Sequence, residues 1–119
     1  NALYKKDIII NGSGEEKLDF TYIDDLIQGI SKIIGNKKSY NQIFNITYGD
    51  GRKITELVEI LKKNFTSIKM EFKKRDKLMP ERGTLSTIKA EELLNYKSEW
   101  PLEKGYNNYI SWYKKFFKN

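Results

Sequence analysis

The sequence predicts a small mixed α/β domain of about three short strands and four helices. Three observations predict it. Apolar residues recur at helical spacing in four separate stretches. Three short runs are β-branched or alternate polar with apolar. The two kinds of segment interleave, with turn residues between them. Residues 1–119 read as one domain. A chain of this length buries roughly two thirds of the surface its unfolded form exposes, so a core needs no staples.

Asp7 to Ile10 is the first strand, and Asn11-Gly12-Ser13-Gly14 is a turn with two positions free to take positive φ. Lys17 to Tyr22 is extended and runs straight into a helix from about Asp24 to Ile34. Ile23, Leu26, Ile27, Ile30, Ile33 and Ile34 give that helix one apolar face. Asp24 and Asp25 stand at its start, where carboxylates accept free backbone N–H groups and meet the positive end of the dipole. That role is preferred to an acid–base or metal-binding pair. Gly35 supplies a left-handed stop, and Gly35 to Ser39 is a polar connection. Gln42 to Thr47 alternates and is expected as the second strand, followed by a turn at Tyr48-Gly49-Asp50-Gly51.

Thr55 is the expected cap of a helix lined by Leu57, Ile60, Leu61 and Phe65. Ile68 to Phe72 is the third strand, with Ile68, Met70 and Phe72 on one side. Lys73 to Gly83 lacks any period and contains Pro80, so it is loop. Ser86 or Thr87 caps a short helix through Leu94, and Asn95 suits a left-handed stop. Pro101 fits the first turn of a last helix. Leu102, Tyr106, Tyr109, Ile110, Tyr113 and Phe117 share one face of it, and its lysines form a basic outer side.

Composition excludes several classes. With 39% hydrophobic and 32% charged residues, the chain is globular rather than disordered. No apolar run approaches the ~20 residues of a membrane helix. Neither Cys nor His occurs, which removes disulfides, thiolate or imidazole metal sites and an imidazole base. No secretory signal is visible, and cytoplasm is the expected location. Asn1-Ala2 reads as the remainder of a cleaved tag, which would start the native segment near Leu3. The net charge of +6 is compatible with a solvated lysine-rich surface or with an anionic partner.

Two runs also carry a resemblance. The strand-turn segment Ile8 to Gly14, continued by Asp19, Phe20, Tyr22 and Asp25, resembles the strand, G-x-G turn and R-D-F-x-Y-V-x-D signature of NAD-dependent sugar-nucleotide epimerases and dehydratases. These are the extended short-chain dehydrogenase/reductase enzymes. Leu18 stands where many members have Arg. A second run, Arg82-Gly83-Thr84-Leu85 through Lys89-Ala90, Leu93-Leu94-Asn95-Tyr96 and Leu102-Glu103-Lys104-Gly105-Tyr106, resembles the family's C-terminal R-G-x-L-x-x-x-K-A…L-L-G-Y…L-E-x-G-Y pattern. Both lie in the family's order across most of the chain.

The family's redox machinery is not in these residues. A short-chain dehydrogenase uses a Tyr with a Lys four residues later, and none of the eight tyrosines here has one. Gly12-Ser13-Gly14 is followed by Glu15-Glu16-Lys17, and Gly49-Asp50-Gly51 by Arg52-Lys53-Ile54, so neither turn has the third glycine of a dinucleotide fingerprint. The resemblance therefore implies the C-terminal, nucleotide-sugar-binding part of such an enzyme without its Rossmann half, not catalytic alone. It further implies that the Rossmann half is a partner and holds NAD, with none bound by this chain, and a role in cell-surface polysaccharide or lipopolysaccharide biosynthesis.

By the same resemblance Arg82 matches an arginine that reaches the substrate diphosphate, a task suited to a permanently charged, two-pronged donor. Arg75 is a second candidate. Asn11 stands beside the expected nucleotide, where many members have an aromatic residue, and Gly12 permits close backbone approach. Lys17 is expected to point away from the face of Leu18. No catalytic, cofactor-binding or metal-ligating residue is expected. The alternative is a small basic binding module for nucleic acid or an acidic partner, with bases stacked on the rings of residues 106–117. Exposure of the face meant for the missing half would favour self-association.

Overall fold

Two short β-pairs and four helices organise residues 1–117, which the computed structural model describes. Strand β1 (Ile8–Asn11) pairs in parallel with β4 (Met70–Lys73), with Ile8 opposite Met70 and Asn11 opposite Lys73. Strand β2 (Lys17–Asp19) pairs antiparallel with β3 (Gly51–Lys53), with Leu18 opposite Arg52. The helices are α1 (Ile23–Ile33), α2 (Ile54–Asn64), α3 (Ile88–Leu94) and α4 (Leu102–Phe117), and a 3₁₀ turn covers Lys37–Ser39. The mixed α/β class and the four helices are as the sequence predicts.

The strand at Gln42–Thr47 does not form. This stretch has no ladder partner. Instead Phe44 and Ile46 pack into a small core with Ala90, Leu94, Tyr96 and Ile33, and the Asn45 side chain donates to the Ser86 carbonyl at 3.0 Å. Alternation marks a two-sided segment, but a strand also needs a neighbour for its backbone groups. The missed strand is Gly51–Lys53, whose glycine turn hides its pairing with Lys17–Asp19.

The second core joins α2 to α4. Ile60, Leu102 and Ile110 are buried there, with Phe20, Leu57, Leu61, Phe65 and Tyr106 around them. The expected faces of both helices hold, except that Tyr109 and Phe117 stay about half exposed. The start of α2 is capped by Glu56, whose carboxylate accepts the Lys53 N–H at 2.9 Å, and Thr55 falls inside the helix. Arg52 bridges the two helix starts: Nε donates to Glu56 and Nη2 to Glu103, each at 2.6 Å. Asn95 ends α3 at φ 52°, the left-handed stop expected.

Helix α1 departs most from its pattern. The row that packs inward is Asp25, Gly29 and Ile33. A methyl group at Gly29 would overlap the Ile46 side chain, so glycine is what lets that segment approach. Ile23, Leu26, Ile27, Ile30 and Ile34 all lie exposed. Asp25 is 1% exposed and does not cap its own helix. Its carboxylate accepts the backbone N–H groups of Glu99 at 2.8 Å and Trp100 at 3.1 Å, holding the approach to α4 against the start of α1.

Candidate functional site

A cleft of about 340 Å³ opens where β1, β2 and the loop after β4 meet. Asn11, Glu16, Lys17, Leu18, Ile54, Arg75 and Arg82 line it, with Met79 and Pro80 along the loop side. Three of the four residues singled out in the sequence, Asn11, Arg75 and Arg82, therefore share one concave surface. The fourth, Gly12, stands next to it but is not part of the lining.

Each side chain is placed by a specific element. Asn11 ends β1, opposite Lys73, and the Gly12 N–H donates to the Lys73 carbonyl at 2.8 Å. Arg75 sits just after β4 and holds the loop together: Nη2 donates to the carbonyls of Met79 at 3.1 Å and Pro80 at 2.8 Å. Its Nη1 lies 3.8 Å from Glu81, and its Nε is buried without a hydrogen-bond partner. Arg82 is exposed and makes no hydrogen bond or ion pair among the described residues. The two arginines are thus unlike: Arg75 shapes the loop and adds fixed charge, while the Arg82 fork is free to meet a ligand. Lys17 and Leu18 both line the cleft. Lys17 is exposed at the start of β2.

The glycine turn does something other than expected. Gly12 and Gly14 have φ of 115° and 81°. The resulting bend aims backbone donors at a glutamate of the chain itself: Ser13 N–H donates to Glu16 Oε1 at 3.3 Å and Gly14 N–H to Oε2 at 2.9 Å. A methyl group at Gly12 would overlap that carboxylate. The close approach Gly12 permits is therefore to Glu16. Backbone hydrogen bonds hold the Glu16 carboxyl below the usual range, with Arg75 adding a smaller pull, so it is ionised at neutral pH. Glu16 is the lining residue the sequence reading leaves out. In the sequence it counts only against a third glycine, although a glutamate two residues after a Gly-x-Gly turn is placed to bond that turn.

Asp19, beside the cleft, accepts Gly49 N–H at 3.2 Å and Leu85 N–H at 3.4 Å, tying β2 to both flanking turns. Tyr96 donates to the Thr47 carbonyl at 2.8 Å. Burial, aided by Asp25 and Asp19, pushes its phenol up to about 12, so it is a neutral donor and not a base. The Gly12-Ser13-Gly14 turn does not fit a dinucleotide pyrophosphate: its Ser13 and Gly14 backbone donors are bonded to Glu16, and no third glycine opens a helix behind it.

Residues 1–47 match the model of the NAD dependent epimerase/dehydratase family. A UDP-glucuronate 4-epimerase of Thermodesulfobacterium geofontis is 32% identical over 92% of this chain and 34% of its own length. The uncharacterized UDP-glucose epimerase YtcB of Bacillus subtilis is 25% identical over 98% of the chain and 37% of its own. Among solved structures, the UDP-glucuronic acid 4-epimerase of Bacillus cereus in complex with UDP-glucuronic acid and NAD superposes with a TM-score of 0.87 at 28% identity. That match covers 97% of this chain and 37% of that one. The epimerase Mth375 of Methanothermobacter thermautotrophicus shares the fold at a TM-score of 0.92 and 19% identity. The chain thus spans about a third of the length of the relatives it matches. The chain is thus similar over residues 1–47 to the NAD dependent epimerase/dehydratase family, and its fold matches the C-terminal part of those epimerase structures.

Proposed function

We propose that this chain is the nucleotide-sugar-binding part of an NAD-dependent epimerase or dehydratase and does not turn over alone. The observation that carries this reading is the shared cleft of Asn11, Arg75 and Arg82. Two guanidiniums and Lys17 against one carboxylate give the cleft a positive balance, suited to the diphosphate of a sugar donor. Arg82 grips the phosphate oxygens, Arg75 holds the loop and adds field, and Asn11 offers hydrogen bonds to the nucleotide. The catalytic Tyr and Lys and the NAD site belong to an N-terminal Rossmann unit. The apolar face of α1 supports such a partner. Ile23 joins that face to a groove of about 420 Å³ lined by Phe20, Tyr22, Trp100, Tyr106 and Tyr109. No helix among the described residues is long and apolar enough to cross a membrane. The work of the parent enzyme is assigned to the cytoplasm, in the supply of activated sugars for cell-surface polysaccharide.

The test is a titration of the chain with UDP and UDP-glucose by NMR at two salt concentrations, alongside duplex DNA. Millimolar or tighter binding of the nucleotides, weakened about tenfold or more in Arg82→Ala, is expected. Preference for the duplex with a steep salt slope would favour the basic-module alternative and overturn this reading. Hydride transfer by the isolated chain with NAD would also overturn it.

A further inference from the structure

The cleft is not uniformly cationic, and its one carboxylate is the feature the diphosphate reading leaves unexplained. Glu16 is half-buried, lines the cleft with both arginines, and is fixed there by Ser13 and Gly14. A carboxylate has about four acceptor positions on its two oxygens. The turn uses one on each oxygen, leaving acceptor capacity for a ligand. An ionised carboxylate repels a phosphate, so a simple inorganic anion is a poor match for this surface. A ligand that fits must be anionic at one end and donate hydroxyl hydrogens at the other.

We infer that Glu16 is the sugar-reading residue of the cleft, accepting hydrogen bonds from a vicinal hydroxyl pair of the ligand while Arg82 takes the diphosphate. The inference rests on the diphosphate reading above and adds a specificity residue to it. Two parts of a nucleotide sugar carry such hydroxyls, the ribose and the hexose, and both offer Glu16 the same chemistry. The turn gives the carboxylate its direction. Gly12 removes the Cβ that would push it aside, and the Ser13 and Gly14 N–H groups hold it in the turn. Glu16 therefore acts as a preorganised acceptor and not as a counter-ion of the arginine.

The experiment compares pyrophosphate, UDP, 2′-deoxy-UDP and UDP-glucose on the natural chain and on Glu16→Gln, by NMR titration. Glutamine keeps an oxygen for the Gly14 N–H but loses the charge and one acceptor. The expected result is about a tenfold loss of UDP or UDP-glucose in Glu16→Gln with pyrophosphate unchanged or tighter. A loss shared by UDP, and reproduced in the natural chain by 2′-deoxy-UDP, assigns the ribose. A loss confined to UDP-glucose assigns the hexose. Equal or tighter binding of all four ligands in Glu16→Gln overturns the inference while leaving the diphosphate reading intact. If no nucleotide or pyrophosphate binds the natural chain, both fall together. Should Glu16→Gln lose the fold, the natural chain decides. Equal affinity for UDP, 2′-deoxy-UDP and UDP-glucose then overturns the role of Glu16.

Discussion

Asp25 shows how one side chain can belong to a different structure from the one its neighbours suggest. Its place in the first turn of α1 reads as a helix cap, yet both oxygens serve backbone donors some 74 residues further on. Removing it leaves two part-buried N–H groups without their carboxylate partner. Asp25→Ala is therefore expected to lower stability by about 3 kcal/mol, measured by urea unfolding, with Asp25→Asn recovering only part, because an amide presents one oxygen where two are needed. Carboxylates nearer the surface give a second prediction. Hydrogen bonds from Arg52 and backbone groups hold Glu56 and Glu103 below the ordinary 4.5, and backbone bonds do the same for Glu16. Their folded values lie below their unfolded ones, so the stabilisation is complete above about pH 4.5 and is lost as pH falls through the folded values. Melting temperatures should drop as pH is lowered from 5 toward 3, and Glu103→Gln should flatten part of that drop.

At the scale of elements, α1 is the informative one. An 11-residue helix with a full apolar stripe is expected to bury that stripe, yet it presents the row Asp25, Gly29 and Ile33 to the rest of the chain. Periodicity finds which residues share a face, but not which face meets this polypeptide. The exposed isoleucines are expected to drive self-association of the chain. Light scattering should detect species larger than a monomer, and Ile27→Glu with Ile30→Glu should suppress them. Because both side chains are about half exposed, 56% and 49%, the double change should alter unfolding stability little, by less than about 1 kcal/mol. A strict monomer at high concentration in the natural sequence would count against this role for the face. The three-residue β3 illustrates the opposite error. Nothing within Gly51-Arg52-Lys53 announces a strand, and only its pairing with Lys17–Asp19 makes it one.

The whole molecule is a slab of 50 × 38 × 18 Å with a radius of gyration of 16.9 Å. A compact domain of this length has a radius of gyration of about 13.5 Å. The excess follows from having two small cores side by side, one around Ile60 and Ile110 and one around Leu94 and Tyr96. A single central core would draw the elements closer. Such a shape leaves broad faces uncovered, in keeping with a chain that spans about a third of its relatives. The cleft lies between elements that are distant in sequence.

Sequence by itself determined the helices, the glycine bend, the left-handed Asn95 stop, the family resemblance and the pair of arginines worth examining. These follow from local periodicity, from backbone conformations open to few residue types, and from motifs read in order. Tertiary structure alone decided that Gln42–Thr47 lacks a partner strand, that the isoleucine face of α1 stays open, that Asp25 serves another segment, and that Glu16 fills the glycine bend and lines the same cleft as Arg75. Each of these depends on contacts between residues far apart in the chain. Side-chain spacing records which residues share a face, and chain packing supplies what that face meets.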